Sequence, residues 1–160
     1  KKLKDNAQKS IDVVKNKVSS FNLYDKENIN KSSYLDILHD DLKPYFKAAV
    51  GNYRVTEDAK KEFSKLKLDI NKISRLMNTH HNYLKNELKI TTSEIDRMID
   101  VSKENGAIGS KIVGSGGGGS VVCLSTNSDS SNKIVSEFKR IGVKDAFIAK
   151  KGGGPTIHYE

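Results

Sequence analysis

The sequence predicts an α+β domain of 160 residues, helical over about 1–105 and sheet-bearing over about 106–160. Three observations carry this. Apolar residues in the first two thirds recur three and four apart, the period of one helix face. After Gly106 the texture changes to short β-branched runs. Glycine clusters at 114–119 and 152–154 separate those runs, where turns are needed. One helix lies among the runs, so the order is helices, then ββαββ: a mainly antiparallel sheet with helices on one face.

The elements follow in order. Leu3, Ala7, Ile11, Val14 and Val18 form the inner stripe of a first helix, and residues 19–33 are a polar connection. A second helix is predicted from Tyr34 to His39. Pro44 suits the first turn of a third, which carries Tyr45, Phe46, Ala49 and Tyr53 and continues through Val55, Ala59, Phe63 and Leu66. Asp69 is the predicted N-cap of a fourth, with Ile73, Leu76, Met77, Tyr83 and Leu84 inward. Thr91-Thr92-Ser93-Glu94 opens a helix bearing Ile95, Met98, Ile99 and Val101, and Gly106 stops it. Strands are predicted at Ser110–Val113 and Ser120–Leu124, a helix at Asp129–Ile141 closed by Gly142, and further strands at Val143–Ala149 and Thr156–Tyr159. Tyr24, Tyr34 and Tyr45 read as core or half-buried anchors, and Gly152–Gly154 as a plain turn.

Composition narrows the function classes. The formal net charge is +8, from 28 Lys+Arg against 20 Asp+Glu. Nucleic acid is nonetheless disfavoured as a partner: the arginines, Arg54, Arg75, Arg97 and Arg140, are dispersed, and no aromatic platform is interleaved with the basic residues. No apolar run approaches a membrane span and no secretory pattern is present, so no membrane partner is expected. The single cysteine, Cys123, precludes an internal disulfide, reads as a small buried hydrophobe and suits a reducing, cytoplasmic setting. His80 and His81 are neighbours on a helix, so their side chains point about 100° apart and make no two-ligand face; no metal site is expected in this chain. Lys111 reads as a solvated strand lysine, with a phosphate contact as the alternative.

The most informative segment is the loop Gly114, Ser115, Gly116, Gly117, Gly118, Gly119, Ser120. A glycine run can aim several backbone N–H groups at one point, a concavity suited to phosphate. The spacing Gly114-x-Gly116-x-x-Gly119 matches a dinucleotide fingerprint, but such a fingerprint must open a helix, and here Val121-Val122-Cys123-Leu124 follows as a strand. A Walker A loop needs a lysine that Gly119-Ser120-Val121 lacks. A flexible linker would have polar, mobile flanks; these flanks are apolar and strand-like, though composition alone leaves that reading open.

Gly106-Ala107-Ile108-Gly109-Ser110-Lys111-Ile112-Val113, followed by the glycine loop, resembles the C-terminal motif of the GHMP small-molecule kinases. Leu76-Met77-Asn78 through His81 and Leu84, then Ile90-Thr91 and Glu94-Ile95-Asp96, are similar to a galactokinase stretch with matching spacing, as is Val55-Thr56-Glu57. Leu35–Leu42 sits where galactokinases carry an extra helical stretch. Two departures stand out. Galactokinases usually place an aromatic residue where this chain has Gly117 or Gly118, which brings the loop closer to mevalonate and heptose kinases, and Tyr53 replaces a common histidine.

The resemblance implies a ferredoxin-like C-terminal domain with Gly114–Ser120 as a nucleotide- and substrate-binding wall. It implies ATP and Mg²⁺ as cofactors and a monosaccharide as acceptor, in galactose or other carbohydrate metabolism. Mevalonate or heptose kinase-like chemistry, or a non-catalytic sugar or nucleotide sensor, are the alternatives. The family's N-terminal half, which holds the sugar segment, the main ATP phosphate loop and the catalytic aspartate, is not in this sequence. No catalytic residue is therefore assigned to this chain, which is expected to be inactive without that partner half. The resemblance also assigns His81 a structural hydrogen-bonding role.

Overall fold

A computed structural model of the chain describes residues 2–25, 32–114 and 116–149. It is mostly helical: α1 (Lys2–Lys17), α2 (Ser33–Asp36), α3 (Lys43–Phe63), α4 (Ile70–Asn82), a π-helical turn (Tyr83–Glu87), α5 (Ser93–Glu104), β1 (Ala107–Val113), β2 (Ser120–Ser125) and α6 (Ser128–Arg140). β1 and β2 pair antiparallel, from Ala107 opposite Ser125 to Val113 opposite Ser120, with a bulge between Ala107 and Gly109.

The helices start where their caps dictate. Asp69 accepts the Lys72 N–H at 3.0 Å, Thr92 the Ile95 N–H at 3.3 Å and Asn127 the Ser130 N–H at 2.8 Å, each satisfying an amide that a helix end would orphan. Pro44 stands in the first turn of α3. That helix stops at Phe63, short of the predicted Leu66, because the chain folds around Glu62. The Glu62 carboxylate is fully buried. It takes Lys65 Nζ at 2.7 Å, Lys72 Nζ at 3.3 Å and the Asp69 N–H at 3.0 Å, tying the end of α3 to the start of α4. Phe63 and Leu66 are consequently exposed instead of inward. The predicted helix at Tyr34–His39 is reduced to the single turn of α2, and three-residue turns carry the chain on, with Leu38 N–H to Leu35 O at 3.2 Å and Leu42 N–H to His39 O at 3.0 Å.

Two apolar clusters form the interior. Val14, Phe21, Tyr34, Leu38, Leu42, Phe46 and Val50 pack α1, α2 and α3 together, with edge-to-face rings at 5.2 Å (Phe21–Tyr34) and 6.3 Å (Tyr34–Phe46). Leu84, Ile95, Ile99 and Ile112 join the π-helical turn, α5 and β1. Of the three tyrosines read as anchors, Tyr34 is core and Tyr45 half-buried, but Tyr24 is 70% exposed, with its ring edge on Tyr53.

The full ferredoxin-like sheet is not seen. Among the described residues the sheet has two strands, and Val143–Ala149 is irregular chain. The reason is local. α6 ends in a Schellman motif, with the Gly142 N–H on Lys139 O at 3.1 Å and the Val143 N–H on Phe138 O at 2.9 Å. The first amide of the expected strand is thereby committed to the helix end. Lys144-Asp145-Ala146, which has little strand preference, follows and leaves Phe147 and Ile148 exposed. The expected strand at Thr156–Tyr159 and the turn at Gly152–Gly154 lie outside the described residues.

Candidate functional site

β1 is fixed to the helical layer before it reaches the glycine loop. A Cβ on Gly109 would stand 2.8 Å from Ser74 Cα, so only glycine lets α4 lie this close to the strand. One turn on, the Asn78 carboxamide donates to Ile108 O and accepts from the Ser110 N–H, both at 3.0 Å. Behind it, the Ser102 and Ser110 hydroxyls meet at 2.7 Å, both residues buried. These contacts satisfy the polar groups that a strand packed on helices would otherwise leave orphaned.

The loop then leaves Val113 and returns at Ser120. Gly114, Gly116, Gly117, Gly118 and Gly119 all have positive φ, between 73° and 129°. Ser115 lies outside the described residues. The loop is not suspended in solvent. The Gly117 N–H donates to Ile90 O at 2.8 Å, and a Cβ on Gly116 would lie 2.7 Å from the same oxygen. Cβ atoms on Gly114, Gly117 and Gly118 would meet nothing within 4 Å. One side of the loop is thus seated on the α4–α5 connection and the other is open, and Ser120 is exposed at its end.

Lys111 is half-buried, and its ammonium donates to Ile112 O at 2.7 Å. Burial lowers its pKa. It is therefore not the solvated strand lysine expected. His80, half-buried near it, is held below the usual histidine range by burial, then by the Lys111 and His81 charges. His81 is buried, and neither ring nitrogen has a hydrogen-bond partner, which corrects the hydrogen-bonding role assigned to it. Burial, which favours the neutral imidazole, is the first cause of its lowered pKa. Cys123 is half-buried. A groove of about 880 Å³ runs along β2 between α5, α6 and residues 141–149. It touches the glycine loop at Gly119 and Ser120, where the loop enters β2.

Ile90, on which the loop rests, and the left-handed Lys89 before it were not marked as a loop support by the sequence; a left-handed lysine has no composition cue. Asn78 falls in the galactokinase-like stretch Leu76-Met77-Asn78, but nothing in the sequence marks its bonds to residues 30 and 32 positions away.

This hairpin, helix-backed and closed by a glycine loop, falls within residues 59–144, which match the family profile described as GHMP kinases C terminal. The chain belongs to the GHMP kinase C-terminal family. Among GHMP relatives, a galactokinase of Clostridium perfringens strain SM101 is 28% identical over 159 aligned residues, covering 92% of this chain and 39% of that protein. A galactokinase of Dictyostelium discoideum is 37% identical over 59 residues, covering 37% of this chain and 12% of that protein. A mevalonate kinase of Methanocaldococcus jannaschii is 34% identical over 70 residues, 44% of this chain and 22% of that protein. The chain spans about 39% of the length of the Clostridium galactokinase, so it corresponds to part of such a protein.

Proposed function

We propose that this GHMP domain is the C-terminal half of an ATP-dependent sugar kinase of the galactokinase kind. The observation that carries this is reach: the Clostridium galactokinase aligns with 92% of the chain, whereas the mevalonate kinase aligns with 44%. The reaction is transfer of the ATP γ-phosphoryl group to a monosaccharide hydroxyl, in the cytoplasm. In such a reaction the protein chiefly positions the reactants and stabilises charge.

The residues present suit an anionic polyphosphate. The loop carries backbone amides and ends on the exposed Ser120, with no side chain to block approach from Gly117 to Gly119. Such donors are in place before charge develops. The Gly117 N–H is already engaged, so the other loop amides are the candidates for phosphate. Ser115 is assigned to the same wall by its place in the motif. For Mg²⁺ the fit is poor: among the described residues no group of three or more His, Cys, Asp and Glu could hold a metal ion. On this reading the ion is held by the nucleotide's phosphates and by the N-terminal half.

The parent protein, assayed with ATP·Mg²⁺ against galactose, other monosaccharides and mevalonate, decides the reading. Turnover of a monosaccharide is expected. Turnover of mevalonate alone would move the chain to the second reading, which the all-glycine loop and the Methanocaldococcus relative favour. Turnover of nothing would point to a sensor.

A further inference from the structure

We propose that the Lys89–Ile90 turn sets the shape of the glycine loop and, through it, the loop's grip on a nucleotide's phosphates. The second half of this rests on the reading of the loop as a phosphate wall.

The supporting geometry begins at the π-helical turn Tyr83–Glu87, a wider coil than α4 and a feature often found near functional sites. Its exit is closed by the Leu88 N–H on Tyr83 O, 3.1 Å, and the Ile90 N–H on Leu84 O, 3.1 Å. Between these bonds Lys89 has φ of 52°, the one non-glycine residue with positive φ among the described residues. A lysine rarely adopts this conformation unless its surroundings over-determine it. The outcome is that Ile90 faces two ways: its N–H is bound to the π-helical turn, and its carbonyl receives the Gly117 N–H at 2.8 Å.

The loop is shaped to that carbonyl. A Cβ at Gly116 would stand 2.7 Å from Ile90 O and 2.9 Å from Ile90 Cβ. Both ends of the 88–92 connection are themselves held. Lys85 Nζ meets Asp96 Oδ2 at 3.1 Å, and Thr92 caps α5. The loop therefore docks on a rigid support before any ligand arrives, so less conformational freedom is lost when one binds. Lys89 and Ile90 touch no ligand in this scheme; they are positioning residues that act through Gly117.

The test reads amide exchange at Gly117 in the ¹⁵N-labelled chain, and ATP-induced shifts across 114–120 and ATP affinity in the ¹⁵N-labelled parent protein. Lys89→Gly keeps the left-handed turn; Lys89→Val, β-branched, opposes it. In K89V, Gly117 exchange is expected to rise about tenfold, and ATP affinity to fall roughly threefold to tenfold, the scale of one hydrogen bond. Ile99 and Ile112 should stay protected, and K89G should match the unaltered chain in both readouts. Gly116→Ala, pressing on the Ile90 carbonyl from the other side, should reproduce K89V. Gly118→Ala has strained φ but open space, and should leave Gly117 protected. If K89V loses its core protection, the G116A and G118A pair decides.

Unchanged Gly117 exchange in K89V and G116A would overturn the anchoring. Faster exchange with unchanged ATP affinity would overturn the link to binding. Absence of any ATP-induced shift across 114–120 in the parent protein, where the N-terminal half is present, would remove the phosphate reading and that link with it, while Gly117 exchange would still decide the anchoring.

Discussion

At the residue scale, Asn78 and Glu62 tie separate elements together through polar side chains. Removing the Asn78 carboxamide orphans Ile108 O and the Ser110 N–H together. Asn78→Ala should cost about 1–3 kcal/mol in chemical denaturation. Asn78→Asp should not restore it, because a carboxylate accepts from Ser110 but cannot donate to Ile108 O. Glu62 governs acid behaviour. Its Lys65 bond, then the Asp69 N–H, outweigh burial and bring its pKa from 4.5 to about 2. The native state thus binds fewer protons than the unfolded state between those values, and stability rises with pH across that window. The contribution is fully present above about pH 4.5 and lost as pH falls toward 2. Melting curves between pH 6 and 2 should show a shallower acid decline in Glu62→Gln, with lower stability at neutral pH because a neutral amide pairs less well with Lys65 and Lys72.

At the element scale, the seat of β1 on α4 depends on the missing side chain of Gly109. Gly109→Ala forces Ser74 backbone and strand apart and should cost about 1–3 kcal/mol, read as a lower denaturation midpoint. Elements whose ends are written locally were legible in the sequence. Asp69 and the Thr91–Glu94 run marked α4 and α5, Pro44 marked the start of α3, and the glycine run fixed the hairpin turn between β1 and β2. Where partners are distant, reading the chain failed. Leu66 fits the helical period of α3, but the ion pairs of Glu62 turn the chain away first. Val143 fits a strand by type, but its amide closes α6. His81 fits a hydrogen-bonding histidine, yet its nitrogens are enclosed among groups that do not reach them.

At the scale of the whole molecule, the two apolar clusters have separate duties. The first holds the N-terminal helices and lies mostly ahead of the family-matched stretch; the second carries the hairpin and its loop. Leu38→Ala and Ile112→Ala should each cost about 2–5 kcal/mol. Only Ile112→Ala, two residues from Gly114, should also disturb the Gly116–Gly119 amide signals in a spectrum of the folded chain. Equal disturbance from Leu38→Ala would mean that the clusters act as one. Among the described residues no helix is long and apolar enough to cross a membrane. Of the candidate site, the sequence displayed the loop itself. It did not display the support beneath it, because the Ile90–Gly117 bond joins backbone groups that no side chain identifies.

The Asn78 carboxamide has a further consequence. In an extended strand, the carbonyl of one residue and the amide two positions on point to the same edge. Bound to Ile108 O and the Ser110 N–H, Asn78 behaves as a one-residue strand supplied by a helix. It terminates the ladder on the β1 side with a partner that cannot be extended. At this rung a further strand would find the β1 edge already paired, by a group that has no next residue to carry the ladder on.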